Sequence, residues 1–305
     1  MNASDAVKLS AFSPAKINLF LHITGRRADG YHLLQSVFCP ITLGDELSMS
    51  VQANASKELT VHRSGDLVHI PEDVDLTVRA CKAFYANAGV GMAYQVFIHV
   101  NKKVPEQAGL GGGSSNAATV LRLLQHHHQY PLSAGQLAAI GLELGADVPF
   151  FLQDNSAFVE GIGEVITPIQ GISGYLIVYK PPLSCPTPKI FSDPQLTRNS
   201  SDVKIAVFDS ARRMNSELMA CLQVNTQNAL QAVVSRNYPD WEQQFGVFSS
   251  CVAKFNPQLI RMSGSGSAMF ALFASPSQLS NAVVAVADAP ELQRGQWFEC
   301  KIKSS

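Results

Sequence analysis

The densest chemical signal in the chain is PEQAGLGGGSSNAATVLRLL, residues 105–124, where Gly109, Gly111, Gly112 and Gly113 run straight into Ser114, Ser115 and Asn116. Such glycines let backbone N–H groups approach a ligand with no Cβ in the way. A helix starting directly behind them aims its unpaired N–H groups and positive dipole end at the same spot. The occupant such a loop suits is a phosphate. Two familiar glycine-loop signatures do not fit. Gly113 is followed by Ser114 and not by Lys-Ser/Thr, and the dinucleotide spacing would need glycine at 114 or 116, which are Ser114 and Asn116. A plain flexible linker is the bland alternative, and it is weakened by the amphipathic helix that follows at once. An anion-binding loop of a third kind is expected.

Two charged residues stand out because of their neighbours. Lys16 lies in PAKINLFLHI, where strand alternation puts Lys16, Asn18, Phe20 and His22 on one face and Ala15, Ile17, Leu19, Leu21 and Ile23 on the other. The simplest reading of such a lysine is an edge strand with a solvated side chain. Asp147 is the one charge in GADVPFFL, immediately after a helix stop. It can be a local cap or turn former, or a carboxylate in an apolar-walled pocket, where it needs a chemical reason to exist.

The elements that position these groups follow from periodicity. Residues 94–100 (YQVFIHV) read as a strand entering the glycine loop, and Ala117, Val120, Leu121 and Leu124 form one face of the helix leaving it. The turn Ala28-Asp29-Gly30 delivers Tyr31 and His32. Short strand-like pieces are expected within 43–70 and a helix over 74–88. His126, His127 and His128 are consecutive, so they cannot converge on one metal, and they read as a polar helix end. Ser133 and Gln136 form a capping-box pattern for a helix through Leu144 that Gly145 stops. The pattern loosens over 155–172, where a domain boundary is expected. Beyond it come a strand at 175–179, a proline-rich loop carrying Thr187 and Phe191, and helices over 214–223, 226–236 and 240–254. A second glycine loop, Met262-Ser263-Gly264-Ser265-Gly266-Ser267-Ala268, leads into a strand at 269–273, then a helix over 277–288 and a strand over 297–303. The alternation predicts an α+β fold.

A chain of 305 residues, 46% apolar and 15% charged, suits a soluble protein of one large or two ordinary domains. A net charge of −1 gives no general attraction to nucleic acid or to a membrane surface. Six scattered cysteines with no CxxC pair suit reduced thiols, and neither a signal segment nor a long apolar run is present, so a cytoplasmic protein is expected.

PAKINLFLHI, GLGGGSSNAA and MSGSGSAMFALF, in that order, resemble the three motifs of the GHMP kinases (galactokinase, homoserine, mevalonate and phosphomevalonate kinases). TGRRADGYH at 24–32, LGADVPFFL at 144–152, EGIGE at 160–164 and PTPKIF at 186–191 resemble the branch acting on a cytidine diphosphate of methylerythritol. The likeness runs from about residue 11 to 273. One departure is Gln227-Asn228-Ala229, where the family is expected to carry an acidic residue after the asparagine.

The resemblance implies transfer of the ATP γ-phosphoryl group to the 2-hydroxyl of the methylerythritol moiety, with Mg²⁺ offsetting phosphate charge. It implies a two-domain GHMP-kinase fold: an N-terminal α+β ATP-binding domain over 1–165 and a C-terminal ferredoxin-like α+β substrate domain over 166–305, with the active site between them. By the same likeness Lys16 and Asp147 are the catalytic pair and Lys102 touches the nucleotide. The ATP-phosphate loop is Pro105, Glu106, Gln107, Ala108, Gly109, Leu110, Gly111, Gly112, Gly113, Ser114 and Ser115, with Ser115 also offered to the metal. Asn18, Tyr31, His32, Thr187 and Phe191 contact the substrate, and the protein is expected to be a monomer or weak homodimer. Two alternatives stay open on the residues alone: a non-catalytic nucleotide-binding module, and another GHMP branch such as mevalonate metabolism.

Overall fold

The computed structural model describes residues 7–204 and 215–303. They form a mixed α+β structure of two compact units that alternate along the chain. The first holds the chain up to Ala15, Gly44–Val104 and Gly111–Gln153; the second holds Lys16–Leu43, Pro105–Leu110 and everything from Asp154 on. The two longest strands, β1 (Val7–Arg26) and β2 (His32–Ala53), pair with each other and each contributes to both units.

In the first unit the end of β2 runs antiparallel to β4 (Tyr94–Asn101), with Glu46 opposite Asn101 and Ala53 opposite Tyr94. The edge strand β3 (Thr60–Gly65) lies parallel to β4. Strand alternation is clean in β4: Val96, Ile98 and Val100 are buried, while Phe97, His99 and Asn101 are exposed. Four helices complete the unit: α1 (Leu76–Asn87), α2 (Gly112–His127), α3 (Ala134–Leu144) and the single turn α4 (Val148–Phe151). Asp75 caps α1 by accepting from Thr77 N–H at 2.8 Å. The capping box of Ser133 and Gln136 forms as the sequence predicts, and Gly145 follows α3. The predicted apolar face of α2 is fully buried, and so are Ser115, Asn116 and Thr119 on its other side. Most of the helix is therefore covered, with Gly113, Arg122 and His126 exposed, and its buried polar side chains must find partners inside the protein.

The histidine run is not the simple polar end the sequence suggests. The His128 ring stacks on Phe84 at 5.8 Å, and its Nε2 lies 3.0 Å from the Tyr85 hydroxyl. Burial, with His127 nearby, pushes the His128 pKa down to about 4.

In the second unit Ser36–Phe38 of β2 pairs antiparallel with β5 (Ala157–Glu160), which pairs with β6 (Val165–Pro168). These two short strands occupy the stretch where the sequence pattern loosens. A four-stranded antiparallel sheet follows, in the order β10-β7-β9-β8: β7 (Tyr175–Lys180), β8 (Leu259–Met262), β9 (Met269–Phe273) and β10 (Gln296–Lys301). Strand β8 is absent from the sequence expectations. The proline-rich loop closes with a short helix, α5 (Thr187–Phe191), and α6 (Asn215–Asn225), α7 (Gln231–Asn237), α8 (Pro239–Ala253) and α9 (Pro276–Ala287) follow. The predicted helix over 214–223 begins at a residue outside those described. The core here joins Leu21 and Ile23 of β1 to Tyr179, Trp241, Phe248, Met269 and Phe273. Burying side chains of that size stabilises by about 1.5–3 kcal/mol each. Trp241 keeps its one polar atom satisfied, with Nε1–H donating to the Ser267 carbonyl at 2.8 Å.

Candidate active site

In the second unit, β1 has no wet face. Every residue from Ala15 to Ile23 is buried, and Lys16 is only 3% exposed. Its Nζ donates to Asn18 Oδ1 at 2.6 Å and stands 4.6 Å from the centre of the Phe38 ring. Asn18 is held in turn: its Nδ2 donates to Ser36 Oγ at 2.9 Å, and its backbone N–H donates to Ser263 Oγ at 3.3 Å. The Lys16 backbone N–H donates to the Leu110 carbonyl at 2.9 Å, tying β1 to the first glycine loop. The structure thus brings Lys16 and Asn18 together, two residues apart on one strand face.

Gly109 has φ +72°, and a Cβ added there would stand 2.1 Å from the Ser263 carbonyl oxygen, so no other residue fits unshifted. Ser263 Oγ donates to the Gly109 carbonyl at 3.0 Å, and Ala268 N–H donates to the Ala108 carbonyl at 3.1 Å. The second glycine loop therefore approaches the first closely. Ser263, at the start of that loop, serves both Asn18 and Gly109. Asn228, beside the departure noted in the sequence, donates from Nδ2 to the Met262 and Gly264 carbonyls, each at 2.8 Å. Its Oδ1 accepts from Leu230 N–H at 3.0 Å. Ala229 next to it is 4% exposed and in the core, a place that a carboxylate could not occupy unpaired.

In the first unit α2 begins on Gly111, which has φ +72°, with no side chain capping the helix. A helix start without a side-chain cap is compatible with the anion-binding terminus expected from the sequence. Ala108, Leu110 and Ser115 of the loop are buried; Glu106, Gln107 and Gly113 are exposed; Pro105, Gly109, Gly111, Gly112 and Ser114 lie between. Lys102 is at this helix start, since a Cβ on Gly112 would meet its Nζ at 3.2 Å.

Sequence reasoning missed what holds Lys102. Asp45, fully buried, accepts from Lys102 Nζ at 2.6 Å, from the Lys103 and Val104 N–H groups at 2.8 Å each, and from Asn116 Nδ2 at 2.9 Å. One carboxylate fixes the strand entering the glycine loop and the helix leaving it. The only trace in the sequence is an acidic residue after Gly44 in the middle of a long strand. Asp147 is half-buried at the start of α4, and its side chain does not cap that turn.

For Mg²⁺ the donor set is thin. Ser115 is fully buried and its Oγ accepts from Ser13 Oγ at 2.9 Å, itself bonded by Thr119 Oγ1 at 3.1 Å. No group of three or more His, Cys, Asp or Glu able to hold a metal occurs among the described residues. These donors do not build a cage for a resident ion.

The residues expected at a base lie in the second unit. Tyr31 follows the turn, 61% exposed, its N–H donating to Asp29 Oδ1 at 3.2 Å. His32 packs its ring 5.4 Å from Phe191, and its Nε2 accepts from Arg198 Nε at 3.0 Å. Burial, then Arg198 and Arg26, lower the His32 pKa. Thr187 Oγ1 lies 2.7 Å from Ser265 Oγ of the second glycine loop. Phe191 is also packed against the core, so it serves the fold as well as any ligand.

The GHMP kinases N terminal domain family matches residues 75–155. Over 96% of this chain and 93% of that protein, the chain is 40% identical to the 4-diphosphocytidyl-2-C-methyl-D-erythritol kinase of Herminiimonas arsenicoxydans. It is 41% identical to the same enzyme of Janthinobacterium sp. (strain Marseille), over 87% of this chain and 86% of that one. Among solved structures, a crystal structure of 4-(cytidine 5'-diphospho)-2C-methyl-D-erythritol kinase superposes with a TM-score of 0.76 at 29% identity, covering 97% of this chain and 100% of that one. A homoserine kinase from Cytophaga hutchinsonii shares the fold, with a TM-score of 0.70 at 13% identity over 100% and 96% of the two chains. No helix among the described residues is long and apolar enough to cross a membrane.

Proposed function

The chain belongs to the GHMP kinase family and, within it, to the 4-diphosphocytidyl-2-C-methyl-D-erythritol kinases, and we propose that it transfers the γ-phosphoryl group of ATP to the 2-hydroxyl of 4-diphosphocytidyl-2-C-methyl-D-erythritol. The observation that carries this reading is the 40% identity to a kinase of that name along 96% of the chain. Phosphoryl transfer leaves a protein little covalent chemistry, so catalysis rests on positioning and on charge stabilisation.

Each role suits the setting of the residue that takes it. The substrate hydroxyl attacks the γ-phosphorus as the bond from that phosphorus to the β–γ bridging oxygen breaks, and ADP leaves. Asp147, the lone carboxylate in an apolar run, accepts the hydroxyl proton. Lys16 stabilises the charge developing on the transferred group, and its bond to Asn18 supports a fixed position for the ammonium. Asn18 holds the reacting hydroxyl nearby. Residues 105–115 and the start of α2 cradle the phosphates, with Lys102 beside them. ATP enters as its Mg²⁺ complex, the ion carried on the phosphates. Tyr31, His32, Thr187 and Phe191 receive the cytidine end. In this division the ATP-binding work falls to residues 1–165 and substrate selection to 166–305, apart from β1 and the turn at Tyr31.

A coupled ADP-release assay tests the reading. The cytidine diphosphate substrate is set beside mevalonate, phosphomevalonate and homoserine, and turnover is expected with the first alone. Turnover with mevalonate or homoserine and none with the cytidine compound would sink it. ATP binding with no transfer to any acceptor would make the protein a binding module.

A further inference from the structure

We propose that Arg198 is a specificity-determining residue: by donating into His32 it locks that imidazole as the Nδ1–H tautomer, so that the base edge His32 meets must offer an acceptor. The inference rests on His32 facing the cytidine base, as proposed above.

A guanidinium carries N–H donors and no acceptor, and it stays protonated at any working pH. The 3.0 Å contact between Arg198 Nε and His32 Nε2 therefore has one polarity: the arginine donates and the imidazole offers its lone pair. A neutral imidazole with its lone pair at Nε2 bears its proton at Nδ1. Two features keep the ring neutral. Burial disfavours the charged form, and Arg198 and Arg26 add positive charge nearby.

The guanidinium is placed before any ligand arrives. Arg198 Nη2 donates to the Asp193 carbonyl at 2.8 Å, and Nη1 donates to the Leu196 carbonyl at 3.1 Å. That turn is itself anchored. The Asp193 carboxylate accepts from Asn237 Nδ2 at 2.6 Å, Arg236 Nη2 at 2.9 Å and Gln195 N–H at 2.8 Å, while Leu196 is buried in the core. The His32 ring is further fixed by packing against Phe191. Arginine, imidazole and phenyl ring thus form one braced unit, and the only ring nitrogen of His32 left to read a ligand is a donor.

Among pyrimidines, cytosine presents N3 as an acceptor where uracil presents N3–H. A fixed Nδ1–H set against N3 pairs with the first and opposes the second, donor to donor. Leaving a site's polar group unpaired is what makes such rejection strong, whereas shape alone discriminates weakly.

The test uses the full-length protein with ¹⁵N-labelled histidine, the variants Arg198→Met and Arg198→Lys, and the cytidine and uridine forms of the diphosphate substrate. In the wild type, His32 should show a protonated Nδ1 and a bare Nε2 by long-range ¹H–¹⁵N correlation, with kcat/KM favouring cytidine. Arg198→Met should give a mixed or Nε2–H tautomer and reduce the cytidine-over-uridine ratio at least tenfold, the loss lying in KM for that substrate while KM for ATP holds. Arg198→Lys, which keeps a donor, should retain part of the ratio. A wild-type proton on Nε2 overturns the tautomer lock. A tautomer switched in Arg198→Met with the base ratio unchanged overturns the specificity role. A wild type with the Nδ1–H tautomer but no preference between the bases overturns the placement of His32 at the base, a failure distinct from the other two.

Discussion

Replacing Asp45 with asparagine removes one charge and one acceptor while keeping the shape. Oδ1 of the new amide can still accept from the Lys103 and Val104 N–H groups, but its NH₂ would face Lys102 Nζ and Asn116 Nδ2, both donors. The Asn116 conflict has a remedy. Its Oδ1 is buried with no hydrogen-bond partner, so turning that amide over restores one bond and exchanges one unsatisfied atom for another. Lys102 has no such remedy. It is 13% exposed and loses its counter-charge. A hydrogen bond to a charged group is worth about 1.5–3 kcal/mol, and breaking a buried ion pair costs about 3–5 kcal/mol. Because the ammonium can reach water partway, Asp45→Asn should destabilise by roughly 2–4 kcal/mol, between those limits. ATP affinity should fall too if the first glycine loop cradles the phosphates as proposed, since Asp45 orients 102–104 at its entrance. Urea denaturation of Asp45→Asn, Lys102→Met and the double variant measures the pair directly. Costs of the single variants that add within about 0.5 kcal/mol would mean the two residues act independently, and the hub argument would be wrong.

Asp147→Asn should fold and bind ATP while turnover falls by on the order of 10²–10⁴, the share of a general base; activity within a few-fold of wild type places the base elsewhere. Gly109→Ala sets a methyl against backbone atoms in a left-handed conformation and should lower the melting temperature far more than Gly89→Ala, whose φ is +66° with nothing within 4 Å. Equal melting points would show that the loops do not press on each other. The His128 pKa is depressed from 6.5 to about 4, so the neutral ring stabilises the fold above pH 6.5, and that contribution is lost as pH falls toward 4. Urea midpoints should drop across this window in the wild type and less in His128→Phe; parallel profiles would count against it. Tyr31→Ala should raise KM for the cytidine substrate about tenfold, as loss of a stacking ring would, with little change in melting temperature. Phe191→Ala should move both, because that ring also packs on the core. A Tyr31→Ala variant with unchanged KM removes the ring from the site.

What could be read from the sequence is what depends on neighbours. The strand of Lys16 and Asn18, the glycine loop with α2 behind it, and the capping box at Ser133 are all written within a few residues of themselves. What could not be read depends on distant partners. Asp45 and Asn116 are 71 residues apart, and no local pattern announces that one will bond the other. Strands β5, β6 and β8 have four residues each, too few for alternation to stand out, and each is defined by the strand it pairs with, β2, β5 and β9 respectively. The solvated-side-chain reading of Lys16 failed for the same reason, since local alternation says which residues share a face but not what covers it. The polar reading of His128 failed because Phe84 and Tyr85, which enclose it, lie on α1.

The misses around the two loops, Asp45 and Ser263, have a physical origin in the glycines. A loop that admits phosphate to its backbone has no side chains of its own to hold it, and a glycine loses more freedom on folding than any other residue. The restraint must come from neighbouring elements, and it must be polar, because the groups to be held are carbonyls and N–H groups. Several buried polar residues stand in those places. Asp45 braces the entry to the first loop, Ser263 joins the two loops, and Asn228 spans the second. Arg261, 7% exposed, donates to the Leu19, Leu222 and Thr226 carbonyls and to Thr226 Oγ1. Burial lowers its pKa to about 10, which leaves it charged at neutral pH. A charged group in that position is costly to bury, and four acceptors offset the cost only while β1, α6 and β8 keep their places. The strand carrying Lys16 and Asn18 is thereby coupled to the strand that opens into the second glycine loop, and displacing either would strand a buried charge.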